Sequence, residues 1–135
     1  MLQRLLMVGS SLLLVSGCFG DPEISVKLFK SETRGSPSRP YCDLFFRVQN
    51  DTDYRIKLLG TDLKIEPKFD LEKYMGIVNL NAGASREKEM YRVVNTTCEA
   101  FEQANVKLDM DWPICEIEGA PQGYCFKNLG FEDIR

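Results

Sequence analysis

Asp109, Asp111, Glu116 and Glu118 bracket the pair Trp112-Pro113 in one acidic stretch of the chain. Asp109 and Asp111 lie two residues apart, so a β-strand would present both carboxylates on one face. Two chemistries use such a set. Calcium takes six or more oxygens, and glycosidic cleavage takes a pair of carboxyl groups flanking the bond. Neither template is filled, because the spacing is not that of an EF-hand loop and a domain of this size leaves little room for a sugar cleft. A solvated strand face is the expectation. The chain has no histidine, so the usual general base near neutral pH is missing. A serine nucleophile would need lysine as its base, and Ser31, Ser36, Ser38 and Ser85 fall in expected loops without a motif. With no glycine-rich phosphate loop after a strand, no catalytic residue, metal or cofactor is expected.

The N-terminus carries a different signal. Arg4 is followed by an apolar and small-residue run from Leu5 to Val15, too short to span a bilayer, which reads as a cleaved secretory leader. Its end, Leu14-Val15-Ser16-Gly17-Cys18, resembles the lipobox of bacterial lipoproteins. The resemblance covers about the first twenty residues. It implies cleavage before Cys18, a diacylglycerol on the Cys18 thiol, and a lipid-anchored chain. It divides the sequence into a leader at 1–17, a lipidated N-terminus and short tether at 18–22, and one domain at 23–135. In enteric Gram-negative bacteria an aspartate after the lipidated cysteine retains such proteins in the inner membrane. Phe19 stands there, so the resemblance implies the outer membrane, with the domain facing the periplasm. Between Cys18 and the first patterned residue only Phe19-Gly20-Asp21-Pro22 intervene, a reach of roughly 14 Å.

With Cys18 given to the lipid, Cys42, Cys98, Cys115 and Cys125 remain. An even number in an exported domain argues for two disulfides. Zinc is disfavoured, because no histidine is present and no two cysteines have knuckle spacing. Cys115 and Cys125 flank the turn sequence Gly119-Ala120-Pro121, so a hairpin there would pair them. Cys42 would then bond Cys98. Cys98–Cys115 with Cys42–Cys125 is the competing arrangement.

These cysteines must be positioned by strands. Residues 23–30 alternate, with Ile24, Val26 and Leu28 on one face. Ser31–Pro40 is rich in Ser, Gly, Pro and Arg and reads as a loop. Cys42, Leu44, Phe46 and Val48 resume the alternation, Asn50–Asp53 is a turn, and Tyr54, Ile56 and Leu58 begin another strand. Gly60 marks a bulge or bend before Leu63 and Ile65. Residues 66–78 show no decisive period, although Ile77, Val78 and Leu80 suit a strand before the turn at 81–85. Residues 86–94 favour a strand. Thr97 is an N-cap for one or two helical turns. Val106, Leu108 and Met110 alternate until Trp112-Pro113 ends that strand, and the tail from Lys127 reads as irregular. Seven or eight strands with turns between them predict an all-β fold, an antiparallel, immunoglobulin-like β-sandwich with two disulfides, with a small closed β-barrel second. The sequons at Asn50 and Asn95 are attributed to chance.

The remaining features concern partners. The net charge of −3 becomes −4 once Arg4 leaves with the leader, which gives no general attraction for nucleic acid. Lys27, Lys30, Arg34 and Arg39 cluster before and within the Ser31–Pro40 segment, where they would meet anionic headgroups or an acidic partner. Phe45 and Phe29 fall on the face opposite their neighbours Phe46 and Leu28, and with Tyr54 they would form an apolar patch if their strands adjoin. The expected interface therefore comprises Phe29, Arg34, Arg39, Phe45 and Tyr54. The expected function is a non-enzymatic, membrane-anchored envelope lipoprotein that binds a protein partner, as in envelope or secretion assemblies. The alternative is a periplasmic inhibitor of the small, β-rich lysozyme-inhibitor kind, using Ser31–Pro40 or Gly119–Gly123 as its protruding loop, or a binder of a small ligand.

Overall fold

Alternation of apolar and polar residues builds two facing sheets in this computed structural model, which describes residues 22–72 and 75–135. The leader, Cys18 and the tether up to Asp21 lie outside the described residues. In chain order the elements are β1 (Ile24–Ser36), β2 (Arg39–Asn50), β3 (Ile56–Glu66), β4 (Leu71–Glu72), β5 (Met75–Leu80), β6 (Ser85–Val94), α1 (Cys98–Gln103), β7 (Lys107–Ile117), α2 (Tyr124–Lys127) and β8 (Leu129–Asp133). One sheet has the order β4-β6-β2-β1-β8 and the other β5-β3-β7. The chain is thus an all-β sandwich, not a closed barrel. Every strand pair is antiparallel except β1–β8, which is parallel.

The core lies between the sheets. Ile24, Val26 and Leu28 of β1 and Cys42, Leu44, Phe46 and Val48 of β2 are fully buried, as period-two geometry requires of one strand face. Ile56, Leu59 and Ile77 close the core from the other sheet. In the five-stranded sheet two bulges reset the alternation and decide what reaches each face. In β1, Leu28 pairs with Phe46 and Lys30 with Phe45, so Phe29 is the extra residue. In β6, Leu44 faces Tyr91 and Phe45 faces Glu89, so Met90 is the extra residue. Beyond that bulge Arg86 and Lys88 turn toward the inner side. Their side chains donate to the Val78 carbonyl at 2.7 Å and the Gly76 carbonyl at 3.1 Å on edge strand β5.

Both disulfides follow the favoured pairing. Cys42 bonds Cys98 with Cα atoms 4.8 Å apart, and Cys115 bonds Cys125 at 6.1 Å. Thr97 caps α1 as its sequence predicts, its hydroxyl accepting from the Ala100 amide at 3.1 Å. The Cys98 amide donates to Thr33 Oγ1 at 2.8 Å, which seats the helix on the inner side of β1.

Four local expectations are corrected. Ser31–Pro40 is not a loop: β1 and β2 stay paired to Ser36 and Arg39, leaving Pro37-Ser38 as the turn. The bulge at Phe29 moves Ser31 and Thr33 to the inner positions, where they bond α1 rather than join an apolar face, so the period is hidden. β7 does not end at Trp112-Pro113. The register passes from Asp62–Asp111 to Gly60–Ile114, so those two residues together oppose Thr61. A bulge on an edge strand is where proline's missing N–H is tolerated. Cys125 lies in α2, not in a hairpin strand, because Gly123 takes the left-handed conformation (φ 79°) and turns the chain into a helix. The tail is ordered as β8, whose Leu129 and Phe131 align with Ile24 and Val26.

Candidate functional site

The outer face of the β1–β2 hairpin collects the most concentrated chemistry among the described residues. From Ile24 to Ser36 β1 runs 13 residues, about 40 Å at strand rise. Its far half, with its partner β2, forms an arm. Lys30, Glu32 and Arg34 point outward there, opposite Phe45, Asp43 and Tyr41 in cross-strand register. β6 adds Glu89 and Arg92 on the same face, with Arg92 opposite Asp43.

Asp43 anchors this face. It is fully buried, with Oδ1 2.9 Å from Arg92 Nε and Oδ2 3.4 Å from Arg34 Nη1. The Arg34 contact is an ion pair without hydrogen-bond geometry, so Oδ2 has no hydrogen-bond donor. Arg34 also pairs with Glu32 at 2.8 Å and Glu89 at 3.4 Å. Both guanidinium pKa values are raised, that of Arg34 chiefly by its hydrogen bond to Glu32 and that of Arg92 chiefly by its hydrogen bond to Asp43. Hydrogen bonds from Lys30 and then Arg34 hold the Glu32 carboxyl below its ordinary value.

Aromatic rings lie beneath these cations. Arg92 sits 3.7 Å from the Tyr41 ring centroid, Lys30 and Arg34 sit 4.9 and 5.4 Å from Phe45, and Arg47 sits 4.5 Å from Phe29. Such cation–π contacts contribute about 0.5–1 kcal/mol each at exposed positions. Arg47 is held in turn by Glu87 at 2.6 Å. The rings are therefore half-buried beneath guanidinium groups rather than bare.

Of the expected interface, Phe29, Arg34 and Phe45 meet on this face. Arg39 is exposed at the hairpin tip. Tyr54 is not part of it: it lies in the β2–β3 turn, where it packs edge-to-face on Tyr124 with centroids 5.3 Å apart. The expected three-ring apolar patch is thus corrected to two separate clusters. Tyr41, Asp43 and Arg92 were not anticipated. Asp43 set between Cys42 and Leu44 in β2, with Arg92 on a strand able to pair with it, was the available signal.

The arm points away from Pro22, the first described residue. Pro22 and Glu23 are fastened at the opposite end of β1. The Ile24 amide donates to Asn128 O at 2.8 Å and the Asp51 amide to Glu23 O at 2.7 Å. The Tyr124 hydroxyl donates to the Glu23 carboxylate, which pushes the phenol up to about 12. Pro22 packs so closely on Gly130 that a Cβ added there would stand 2.4 Å from Pro22 Cγ. Arg34 and Arg39 therefore lie at the far end of the hairpin from Pro22, and Lys30 and Arg34 are already paired to acids.

The acidic stretch offers no converging ligand set. Asp109 bonds the Met110 amide, and Glu118 pairs with Arg55 at 2.8 Å. No group of three or more His, Cys, Asp or Glu side chains is placed to hold a metal ion among the described residues. Ser36 and Ser38 share a hydrogen bond at the hairpin tip, and Ser31 donates to Glu102. Asn50 is fully buried, its amide nitrogen donating to Tyr54 O, Leu80 O and Asn81 O. That burial leaves no room for a glycan.

Comparison of the chain with models of known protein families, with curated proteins and with solved structures finds no match.

Proposed function

We propose that this chain is a lipid-anchored bacterial envelope protein, held through Cys18 in the outer membrane with its domain in the periplasm. There it acts without catalysis, by docking a partner protein on the outer face of the β1–β2 arm. The lipobox-like stretch Leu14–Cys18 supports the anchor, and Phe19 supports the outer membrane. The observation that carries the docking surface is the layer of Arg34, Arg47 and Arg92 over Phe45, Phe29 and Tyr41. Arginine and aromatic residues dominate the energetic centres of protein interfaces, and rigid placement lowers the cost of binding. Positioning at the end of β1 remote from Pro22 favours contact with a protein in the aqueous space.

Cross-linking the lipidated protein in intact cells and identifying what copurifies is the test. A partner captured by the native chain, and lost both with Cys18→Ser and with Arg34→Ala plus Phe45→Ala, is the expected result. Capture unaffected by the arm substitutions would reject the surface, and an unlipidated native chain by mass would reject the anchor.

A second reading has its own observation. The hairpin tip, residues 35–40, extends past the last β2 residue paired to β6, Tyr41. A protruding tip suits an inhibitor that enters an enzyme cleft. Muramidase assays distinguish it: unchanged lysis by several muramidases at saturating protein would remove this reading.

A further inference from the structure

The outer face of the three-stranded sheet carries exposed apolar residues that nothing among the described residues covers. Val78 of β5 is 54 % exposed and Ile114 of β7 is 58 % exposed. Leu58 of β3 pairs with Val78, while Gly60 pairs with both Gly76 and Ile114. Leu58, Gly60 and Ile114 point outward, since Leu59 between the first two is buried in the core. The space over Gly76 in this strip is open: a Cβ built there meets nothing within 4 Å. Exposed apolar groups beside side-chain-free backbone form a surface on which another chain can lie closely.

Charge decides what that chain is. Asp62 and Asp111 are direct cross-strand partners on this face, and like charges placed so destabilise a sheet. Neither carboxylate has an ion-pair partner among the described residues. Glu116, opposite Leu58, adds a third acid on the other side of the strip. Lys64, opposite Asp109 and paired with Glu66 at 3.5 Å, is the cation nearest these acids and leaves the face net acidic, so a second copy or an anionic bilayer would meet net repulsion. A cationic segment would relieve the Asp62–Asp111 repulsion while covering Val78 and Ile114.

We propose that the outer face of the β5-β3-β7 sheet docks a partner-protein segment that combines apolar side chains with Lys or Arg. This surface is separate from the β1–β2 arm and does not depend on the anchor. The probe is a fluorescein-labelled peptide alternating Lys and Val, compared with its Glu-for-Lys counterpart, read by anisotropy at low salt. The native protein should bind the Lys peptide and not the Glu peptide. Val78→Ser with Ile114→Ser, and separately Asp62→Asn with Asp111→Asn, should each weaken binding roughly tenfold or more. Their melting temperatures verify that they fold. The control is Glu99→Gln with Glu132→Gln, which removes the same charge from exposed positions on α1 and β8, away from this sheet. Equal weakening by that control would show mere attraction to a net negative protein and overturn the proposal. So would a Val78/Ile114 variant that binds normally, or a native dimer that Ile114→Ser dissociates.

Discussion

Arg92 of β6 and Asp43 of β2 face each other across the strand pair, guanidinium Nε 2.9 Å from a carboxylate with no exposed surface. Arg92 is itself only 24 % exposed on its side chain and lies over the Tyr41 ring, so the pair is shielded from open solvent. Surface pairs contribute about 0–1 kcal/mol, but breaking a buried pair strands a charge and costs about 3 kcal/mol. Arg92→Met should lower unfolding free energy by about that amount, because only the 3.4 Å contact to Arg34 would then face Asp43. Adding Asp43→Leu should recover most of the loss. Urea titration of both variants checks the prediction; additive losses would show that the two side chains act independently.

The two disulfides should differ in weight. Cys42–Cys98 spans a sequence separation of 56 and Cys115–Cys125 one of 10. In the loop-entropy description these correspond to about 4 and about 3 kcal/mol. Replacing Cys42 and Cys98 by Ala should therefore destabilise more than replacing Cys115 and Cys125. Chemical denaturation under non-reducing conditions gives the order, and the reverse order would mean that strain or α2 packing outweighs chain entropy.

Titration should show two separate windows. Glu32 and Glu118 have pKa values held below 4.5, chiefly by hydrogen bonds from Lys30 and from Arg55 respectively. A carboxyl whose pKa falls on folding contributes stability above its unfolded value and loses it as pH drops through the folded one. Stability should thus decline below about pH 4.5, less steeply in high salt because both groups are exposed. Tyr124 moves the other way, from 10.0 up to about 12, through its hydrogen bond to Glu23. Its contribution is complete below pH 10 and is lost as pH rises through about 12. Tyrosine-ring NMR against pH, assigned with Tyr124→Phe, should place this resonance's transition near 12, and Glu23→Gln should bring it down.

What the sequence revealed and concealed follows from the range of each interaction. Ile24, Val26 and Leu28, and Cys42 through Val48, declared their strands because alternation is local. The two disulfides were reached from cysteine parity and one turn. The arm was hidden because the bulge at Phe29 shifts the period by one residue, and polar Ser31 and Thr33 then take positions that face α1. β8 was hidden because Leu129 and Phe131 find their partner in β1, at the other end of the chain. Phe29, Arg34 and Phe45 were legible as a candidate surface. The burial of Asp43 was not, since it depends on Arg34 and Arg92 arriving from strands on either side. Tyr54 was misplaced because its neighbour, Tyr124, is held there by a helix where a hairpin strand was expected.

The Met90 bulge has a consequence at the sheet edge. It turns Arg86 and Lys88 inward, where they bond the carbonyls of Val78 and Gly76 on β5. β5 is an outer strand of its sheet, and such an edge presents unpaired carbonyls and amides that template association with other chains. Two long cations occupy some of those carbonyls and place charge along the edge. Arg86→Ala with Lys88→Ala should leave the melting temperature nearly unchanged, because both side chains are exposed and the core is intact, while concentration-dependent light scattering rises on gentle heating. Restoring charge without the same reach, by Arg86→Lys, should give an intermediate result, since lysine lacks the guanidinium donors that reach both Val78 O and Asn79 O. Scattering equal to that of the native chain in the double Ala variant would mean that the short length of β5 alone protects this edge.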